Sequence, residues 1–208
     1  MELSELTVRS FVNLLGSDAP APGGGSAAAL AGSLGAALAA MVSALTLGRK
    51  KYADYQELAQ AGFDKASALK ENFLNAMERD TEVFNKFSAA MGMPKETPEE
   101  KTARSDAMQK ALALCIESPL YMMELSYDAM KLTDELLGKT NANALSDLGV
   151  SALMLGAAVQ GAWLNVLINL GSLKDEAAAA NYRTKGEKLL NDTLQLSGDV
   201  YDKVVHAL

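Results

Sequence analysis

Two stretches of this 208-residue chain, residues 19–48 and residues 148–173, carry no charged side chain, although charged residues make up 22% of the whole. A helix built from such a segment has no polar face to turn toward water. It must be covered by other helices on most sides, or else cross a bilayer, whose ~30 Å apolar core either segment is long enough to span. Both are rich in Ala, Gly and Ser rather than Leu, Ile and Phe, and the second also carries Gln160, Asn165 and Asn169. Small residues let helix backbones approach closely in either setting. The reading preferred here is a pair of central helices in a soluble bundle, with no membrane partner.

The rest of the chain is helical in pattern, and no alternating strand signal stands out. A first helix is expected over about residues 4–15, ended by Gly16, and the first uncharged helix follows a Pro/Gly loop and runs to Gly48. After the Arg49-Lys50-Lys51-Tyr52 turn a long helix reaches about Met91, where Gly92 and Pro94 break it. Thr97-Pro98-Glu99-Glu100 combines a cap residue, a first-turn proline and acids at the positive dipole end, so a helix starts there. It should reach Leu137 with a kink at Pro119. A turn over residues 138–143 leads into the second uncharged helix, which ends at about Leu170. Ser172 and Asp175 suggest a fresh cap for a last helix weakened by Gly186 and Gly198. The expected architecture is all-α: one domain over residues 1–208, about six helices, two of them central and uncharged. A helix of ~40 residues is ~60 Å long, more than a chain of this size can cover alone, so a homodimer packed through Ala/Gly faces is expected.

A net charge of −7 argues against a nucleic-acid partner, which needs a basic face to displace counterions. Cys115 is the single cysteine, so no intrachain disulfide forms, as suits a reducing cytoplasm. Its helical neighbours Met108, Leu112 and Met122 suggest core packing. The start, MELSELTVRSF, lacks the basic-then-apolar pattern of a signal peptide. A cytoplasmic location is the expectation. The only histidine, His206, stands near the chain end, and no Cys/His cluster suggests a metal, so none is expected.

Phe73, Met77, Asp80, Phe84, Phe87 and Met91 recur at intervals of 4, 3, 4, 3 and 4. They form one apolar stripe with a carboxylate in its middle. Burial raises a carboxyl pKa toward the range of a useful base or acid, although a structural ion pair explains such a residue equally well. Asp147 falls in the first turn of the second uncharged helix, where the dipole favours its anion; helix capping is the alternative. Asn165 lies five turns beyond it on the same azimuth, ~27 Å along the axis. Asp147 and Asn165 of one chain therefore cannot touch one small reacting centre. Asn165 reaches a distant part of a ligand, serves a neighbouring subunit's site, or only bridges helices. Arg49, Lys50 and Lys51 form a compact positive spot suited to an anionic tail, and a partly buried lysine can act as an acid.

The segment Pro20-Ala-Pro22-Gly-Gly-Gly-Ser26 opens a helix with free N–H groups at its positive end, a place for carboxylate, carbonyl or phosphate oxygens. Extended to Leu30 and followed by Met41-Val-Ser-Ala-Leu-Thr-Leu-Gly-Arg-Lys-Lys-Tyr52, it resembles the signature of the cyclodeaminase/cyclohydrolase family. That family comprises the C-terminal half of formiminotransferase-cyclodeaminase and the stand-alone methenyltetrahydrofolate cyclohydrolases. Arg79-Asp80 with Phe84, Pro119-Leu120, residues 141–147, and Asn165-Val166 with Asn169 extend the resemblance over most of the chain. Arg49 stands where the family more often has lysine, which preserves the charge. The resemblance implies a dimeric all-α enzyme with no tightly bound cofactor and a tetrahydrofolate derivative as substrate. Two reactions fit. Hydrolysis of 5,10-methenyltetrahydrofolate gives 10-formyltetrahydrofolate; closure of 5-formiminotetrahydrofolate gives the methenyl form and ammonia. Cyclohydrolase is the preferred expectation because no formiminotransferase is attached, and a folate-binding or structural dimer without catalysis is the non-enzyme alternative. In this scheme Asp80 transfers protons, Asp147 acts electrostatically and Lys51 is a third catalytic candidate. Pro22, Gly23, Gly24, Gly25 and Ser26 line the pterin or carbonyl site, Lys50 or Lys51 meets the glutamate tail, and Arg49, Asn141 and Asn165 are further substrate-binding candidates.

Overall fold

In a computed structural model, which describes residues 2–208, the chain folds into six α-helices: α1 (Val8–Leu15), α2 (Gly24–Ala44), α3 (Gln56–Met91), α4 (Pro98–Leu136), α5 (Leu145–Leu170) and α6 (Glu176–Ala207). The uncharged helices α2 and α5 lie side by side and antiparallel. Gly24 adjoins Asn165, Gly161 abuts Ala28, and Gly35 sits on Ser151 and Leu155. At Gly35 and Gly161 glycine is required by space. A Cβ at Gly35 would lie 2.8 Å from the Leu155 side chain, and one at Gly161 would lie 2.9 Å from Ala28. The Ser151 hydroxyl then donates to the Gly35 carbonyl at 2.8 Å, which fixes the register.

α3 packs on the other flank of α2, with the Phe73 ring pressed onto Gly32. α4 fills the space behind both uncharged helices, and α6 covers α5, where Gly186 gives room to the Trp163 ring. Phe73, Met77, Ile116, Met123, Leu155 and Val166 are fully buried between these layers. Thr97 and Glu100 form the reciprocal cap that starts α4.

Several boundaries differ from expectation. The first helix starts at Val8, capped by the Thr7 side chain, and residues 3–5 form a separate 3₁₀ turn. α2 ends at Ala44 rather than Gly48, whose φ of 71° belongs to the following loop. A 3₁₀ segment, Lys50–Tyr55, then feeds α3. The last helix is capped by Asp175, which accepts from the Ala178 amide, and not by Ser172. It runs unbroken through Gly186 and Gly198.

Within one chain α2 and α5 are only about half buried, and both are long and apolar enough to cross a membrane. Leu34, Leu164 and Ile168 remain 51%, 66% and 77% exposed. The cover that uncharged helices require is thus incomplete inside the single chain.

Candidate functional site

The stripe on α3 divides in two. Phe73 and Met77 point into the core, while Phe84, Phe87 and Met91 are partly or largely exposed. Asp80 falls at the transition, where α3 passes the N-terminus of α2. There it borders a cleft of about 300 Å³ lined by the Gly23–Gly25 backbone, Thr81, Phe84, Phe87 and Asn165, among others.

Gly25 explains how the carboxyl can sit there. A Cβ at this position would lie 2.5 Å from both Asp80 oxygens, so only a glycine lets the acid rest against the first turn of α2. The Ser26 hydroxyl donates to Asp80 Oδ2 at 3.3 Å. Burial raises the Asp80 pKa above the ordinary carboxylate range, and hydrogen bonds from the side chain and backbone of Ser26 only partly offset it. Among the described residues no Lys, Arg or His side chain forms an ion pair with Asp80. The structural ion pair weighed as its alternative role is therefore not what holds this acid.

Pro119 organises the opposite wall. Having no N–H, it leaves the Cys115 carbonyl of α4 without its usual helical donor. The Asn169 side chain supplies one from α5, with Nδ2 donating to Cys115 O at 3.2 Å and to Asn165 O at 2.8 Å. Asn165 in turn donates to Gly161 O at 2.8 Å. Both asparagines therefore spend their amide nitrogens on backbone carbonyls. Cys115 shares this wall, and its thiol faces the Val83 carbonyl at 3.5 Å. Burial and the nearby Asp80 charge push the Cys115 thiol up to about 11, so it stays protonated and is no nucleophile. The Thr81 hydroxyl, beside Asp80, is buried with no hydrogen-bond partner. Thr81 and Asn169 were not picked out as binding residues from sequence. Asn169 could have been found by asking which side chain serves the carbonyl freed by Pro119.

The remaining predicted residues are elsewhere. Pro22 is buried and does not line the cleft, whereas Pro20 and Ala21 do. Arg49, Lys50, Lys51 and Asn141 surround a second cleft of about 260 Å³ beyond the C-terminus of α2. Asn141 works largely on the loop itself: its amide nitrogen donates to Leu45 O at 3.2 Å and its side-chain oxygen accepts from Asn143 N at 3.1 Å. The Tyr52 hydroxyl, which accepts from Ala142 N at 2.9 Å, completes that stitch. Asp147 follows in the first turn of α5, half-buried and at this same end. The 21 residues of α2 separate the two ends by about 30 Å. One chain thus brings Gly23, Gly24, Gly25, Ser26, Asp80 and Asn165 together, and keeps Arg49, Lys50, Lys51, Asn141 and Asp147 apart from them.

The fold and the chain both have relatives. A crystal structure of formiminotetrahydrofolate cyclodeaminase from Thermotoga maritima superposes with a TM-score of 0.83, covering 100% of this chain and 98% of that one. At 24% identity that likeness establishes the helical fold. Methenyltetrahydrofolate cyclohydrolase of Methylorubrum extorquens is 36% identical over 198 residues, 95% of either chain. Formimidoyltransferase-cyclodeaminase of Sus scrofa is 34% identical over 197 residues, which are 95% of this chain but 36% of that protein. The sequence profile described as formiminotransferase-cyclodeaminase matches residues 7–188. A glycine-opened helix cradling a lone carboxyl is therefore set in a chain that belongs to the formiminotransferase-cyclodeaminase family.

Proposed function

We propose that this protein is a methenyltetrahydrofolate cyclohydrolase, an enzyme that adds water to 5,10-methenyltetrahydrofolate and opens the ring to 10-formyltetrahydrofolate. The observation that carries this reading is Asp80, an acid with no cationic partner among the described residues, set against bare helix-end amides in an apolar cleft. The end-to-end likeness to the Methylorubrum extorquens cyclohydrolase supports the choice of reaction.

The chemistry asks for such a group. The methenyl carbon lies between two nitrogens that share a positive charge, and a carboxylate in a poorly hydrated cleft attracts that cation. Water attacks the carbon, and Asp80 accepts one of its protons as the C–O bond forms. The tetrahedral adduct then collapses: the carbon–N5 bond breaks, Asp80 returns its proton to N5, and the adduct hydroxyl loses its own proton to solvent as the formyl C=O forms. A carboxyl whose pKa burial raises suits both directions of transfer. The N-terminal amides of α2 and the Thr81 hydroxyl offer donors for the pterin carbonyl. The phenylalanines supply flat apolar contact to its rings. The basic turn around Lys50, about 30 Å from Asp80 within one chain, is suited to the glutamate carboxylates only where a second copy of the chain brings it to the cleft.

Cyclodeamination of 5-formiminotetrahydrofolate would use the same cleft, since it too passes through a tetrahedral centre beside a cationic nitrogen. The relatives named as cyclodeaminases support it as the second reading. Loss of the methenyl chromophore, followed alongside ammonia release from the formimino substrate, separates the two. Asp80→Asn is expected to lower turnover about 10²–10⁴-fold with a much smaller change in substrate affinity. Unchanged turnover would remove Asp80 from the reaction, and a wild-type chain that binds folate but turns over neither substrate would make it a binding protein. A homodimer in the cytoplasm completes the proposal.

A further inference from the structure

The polar atoms around the Asp80 cleft are sorted by kind. On the α2 side they are donors. The first amide of α2 to find a helical partner is that of Ala27, which donates to Gly23 O at 3.0 Å. The Ser26 hydroxyl and amide are committed to Asp80, which leaves the Gly24 and Gly25 amides free among the described residues. On the α5 side the free atoms are acceptors. Asn165 and Asn169 both line the cleft. Asn165 gives its amide nitrogen to Gly161 O, and Asn169 gives its own to Asn165 O and Cys115 O. A carbonyl only accepts, so these bonds fix which side-chain atom is nitrogen and leave both Oδ1 atoms over. Among the described residues nothing donates to either oxygen, and neither is sealed in the core as the Thr81 hydroxyl is.

Donors followed by two acceptors match one kind of ring edge. A 2-amino-4-oxopyrimidine presents, in a row, the acceptor O4, the donor N3–H and a donor amino group. In a pterin the second ring adds a constraint, because O4 is peri to N5, the nitrogen bonded to the methenyl carbon. Seating O4 on the Gly24 and Gly25 amides therefore delivers N5 to Asp80, whose carboxyl rests against Gly25. The same seating carries N3–H and the amino group away toward α5. Gly24 adjoins the Asn165 side chain there, and Asn169 follows one turn, ~5.4 Å, further along. We propose that Asn165 and Asn169 are the specificity-determining residues of this cleft: their Oδ1 atoms accept from the N3–H and 2-amino group of the pterin and so set the ring with N5 at Asp80.

The bonds on the nitrogen side of each amide hold the oxygens in place. Asn169 is tied both to its own helix and to the Cys115 carbonyl that Pro119 leaves free. Asn165 is tied to Gly161, which itself abuts Ala28 of α2. Both side chains thus reach the cleft with their rotamers already fixed, which lowers the ordering cost of binding. The opposite placement of the ring fails on both walls. With the amino group at α2, N–H would face the Gly24 and Gly25 N–H groups, and O4 would face the asparagine oxygens; such like pairs reject a ligand as firmly as a clash. A carboxylate can also pair with an aminopyrimidine edge. Seating that edge on Asp80 would carry N5 away from the acid that exchanges its proton.

This placement of the ring rests on the folate reading of the cleft, and the test separates the two. Wild type, Asn165→Ala and Asn169→Ala (or the Ser variants, where Ala does not fold) are each given 5,10-methenyltetrahydrofolate and its 2-desamino-2-methyl analogue. The analogue keeps the methenyl centre and lacks the amino donor. General harm from a substitution falls on both substrates alike and cancels in the ratio of their kcat/KM values. Wild type is expected to favour the parent about 10–100-fold, the effect of leaving an acceptor unpaired beneath a bound ligand. Each variant should cut that preference at least about threefold. A wild-type ratio near one, or a ratio that neither substitution changes, overturns the assignment. Calorimetric binding of the stable 5-formyl derivatives of both folates repeats the comparison without turnover. Turnover with no preference for the parent removes the asparagine reading and leaves the cyclohydrolase. Preference in binding without turnover removes the cyclohydrolase and leaves the asparagines. A wild-type chain that binds neither derivative removes both.

Discussion

Asp80 faces two demands that pull in opposite directions. The proposed reaction needs its carboxylate to attract a cation and accept a proton; folding prefers no charge in a poorly hydrated cleft. Because burial raises its folded pKa above 3.8, the native state binds the proton more tightly than the unfolded chain does. The stability gained from that proton is fully present below the unfolded pKa and is lost as pH rises through the higher folded value. Asp80→Asn removes the titration. The variant is expected to melt above the wild type at about pH 7–8, with the difference shrinking toward about pH 4. Scanning calorimetry across that range checks this, and an Asn variant less stable than wild type at neutral pH contradicts it. Activity should move the other way, with kcat/KM falling as acid protonates the free enzyme's carboxyl. Asp80 was legible in sequence because a single acid interrupts an otherwise apolar stripe of regular period. Its partner Gly25 was legible only as part of a glycine run. Which of three adjacent glycines must lack a Cβ depends on where α3 crosses α2, and that crossing is set by packing far from either residue.

At the level of elements, the proline in α4 was visible and its consequence was not. A kink is the ordinary expectation for proline inside a helix. Here α4 runs from Pro98 to Leu136 through Pro119, with the freed Cys115 carbonyl taken up by Asn169 of α5. The two helices are thus joined beside the cleft by a bond that exists only because an intrahelical one is missing. Asn169→Ala should leave that carbonyl unsatisfied and cost about 1–3 kcal/mol. In a Pro119→Ala background, where residue 119 supplies its own N–H, the same change should cost less than half as much. Urea denaturation of the four proteins gives the coupling. Equal costs in both backgrounds would reduce Asn169 to ordinary packing. The misplaced start of α6 has a similar lesson. Ser172 and Asp175 are both good caps, and local sequence does not rank them. The chain chose Asp175 once Ser172 O and Lys174 N were taken by the Gln109 side chain of α4, at 3.0 and 2.8 Å.

At the level of the whole molecule, the uncharged segments that dominate the sequence already say that α2 and α5 must be covered, but nothing in a single chain names the cover. Three sides are supplied internally: α3 on α2, α6 on α5, and α4 behind both. The fourth side is the face bearing Leu34, Leu153, Leu164 and Ile168, all exposed in the single chain. If a second copy fills it, stability becomes a function of protein concentration, because only the native state dimerises. The wild-type Tm should then rise with each tenfold increase in concentration, by an amount that follows mass action. Leu34→Glu and Leu164→Glu place a charge at the centre and toward one end of that face. Each side chain is at least half exposed in the lone chain, at 51% and 66%, so neither change creates a core cavity or buries a charge within a monomer. A monomeric protein would tolerate both within about 0.5 kcal/mol, as surface substitutions usually are. A dimer would not: the variants should sediment as monomers, lose the concentration dependence, and melt at a common, lower temperature. Velocity sedimentation paired with melting curves over a hundredfold range of concentration reads both effects, and variants indistinguishable from wild type in both would overturn the proposed homodimer on this face.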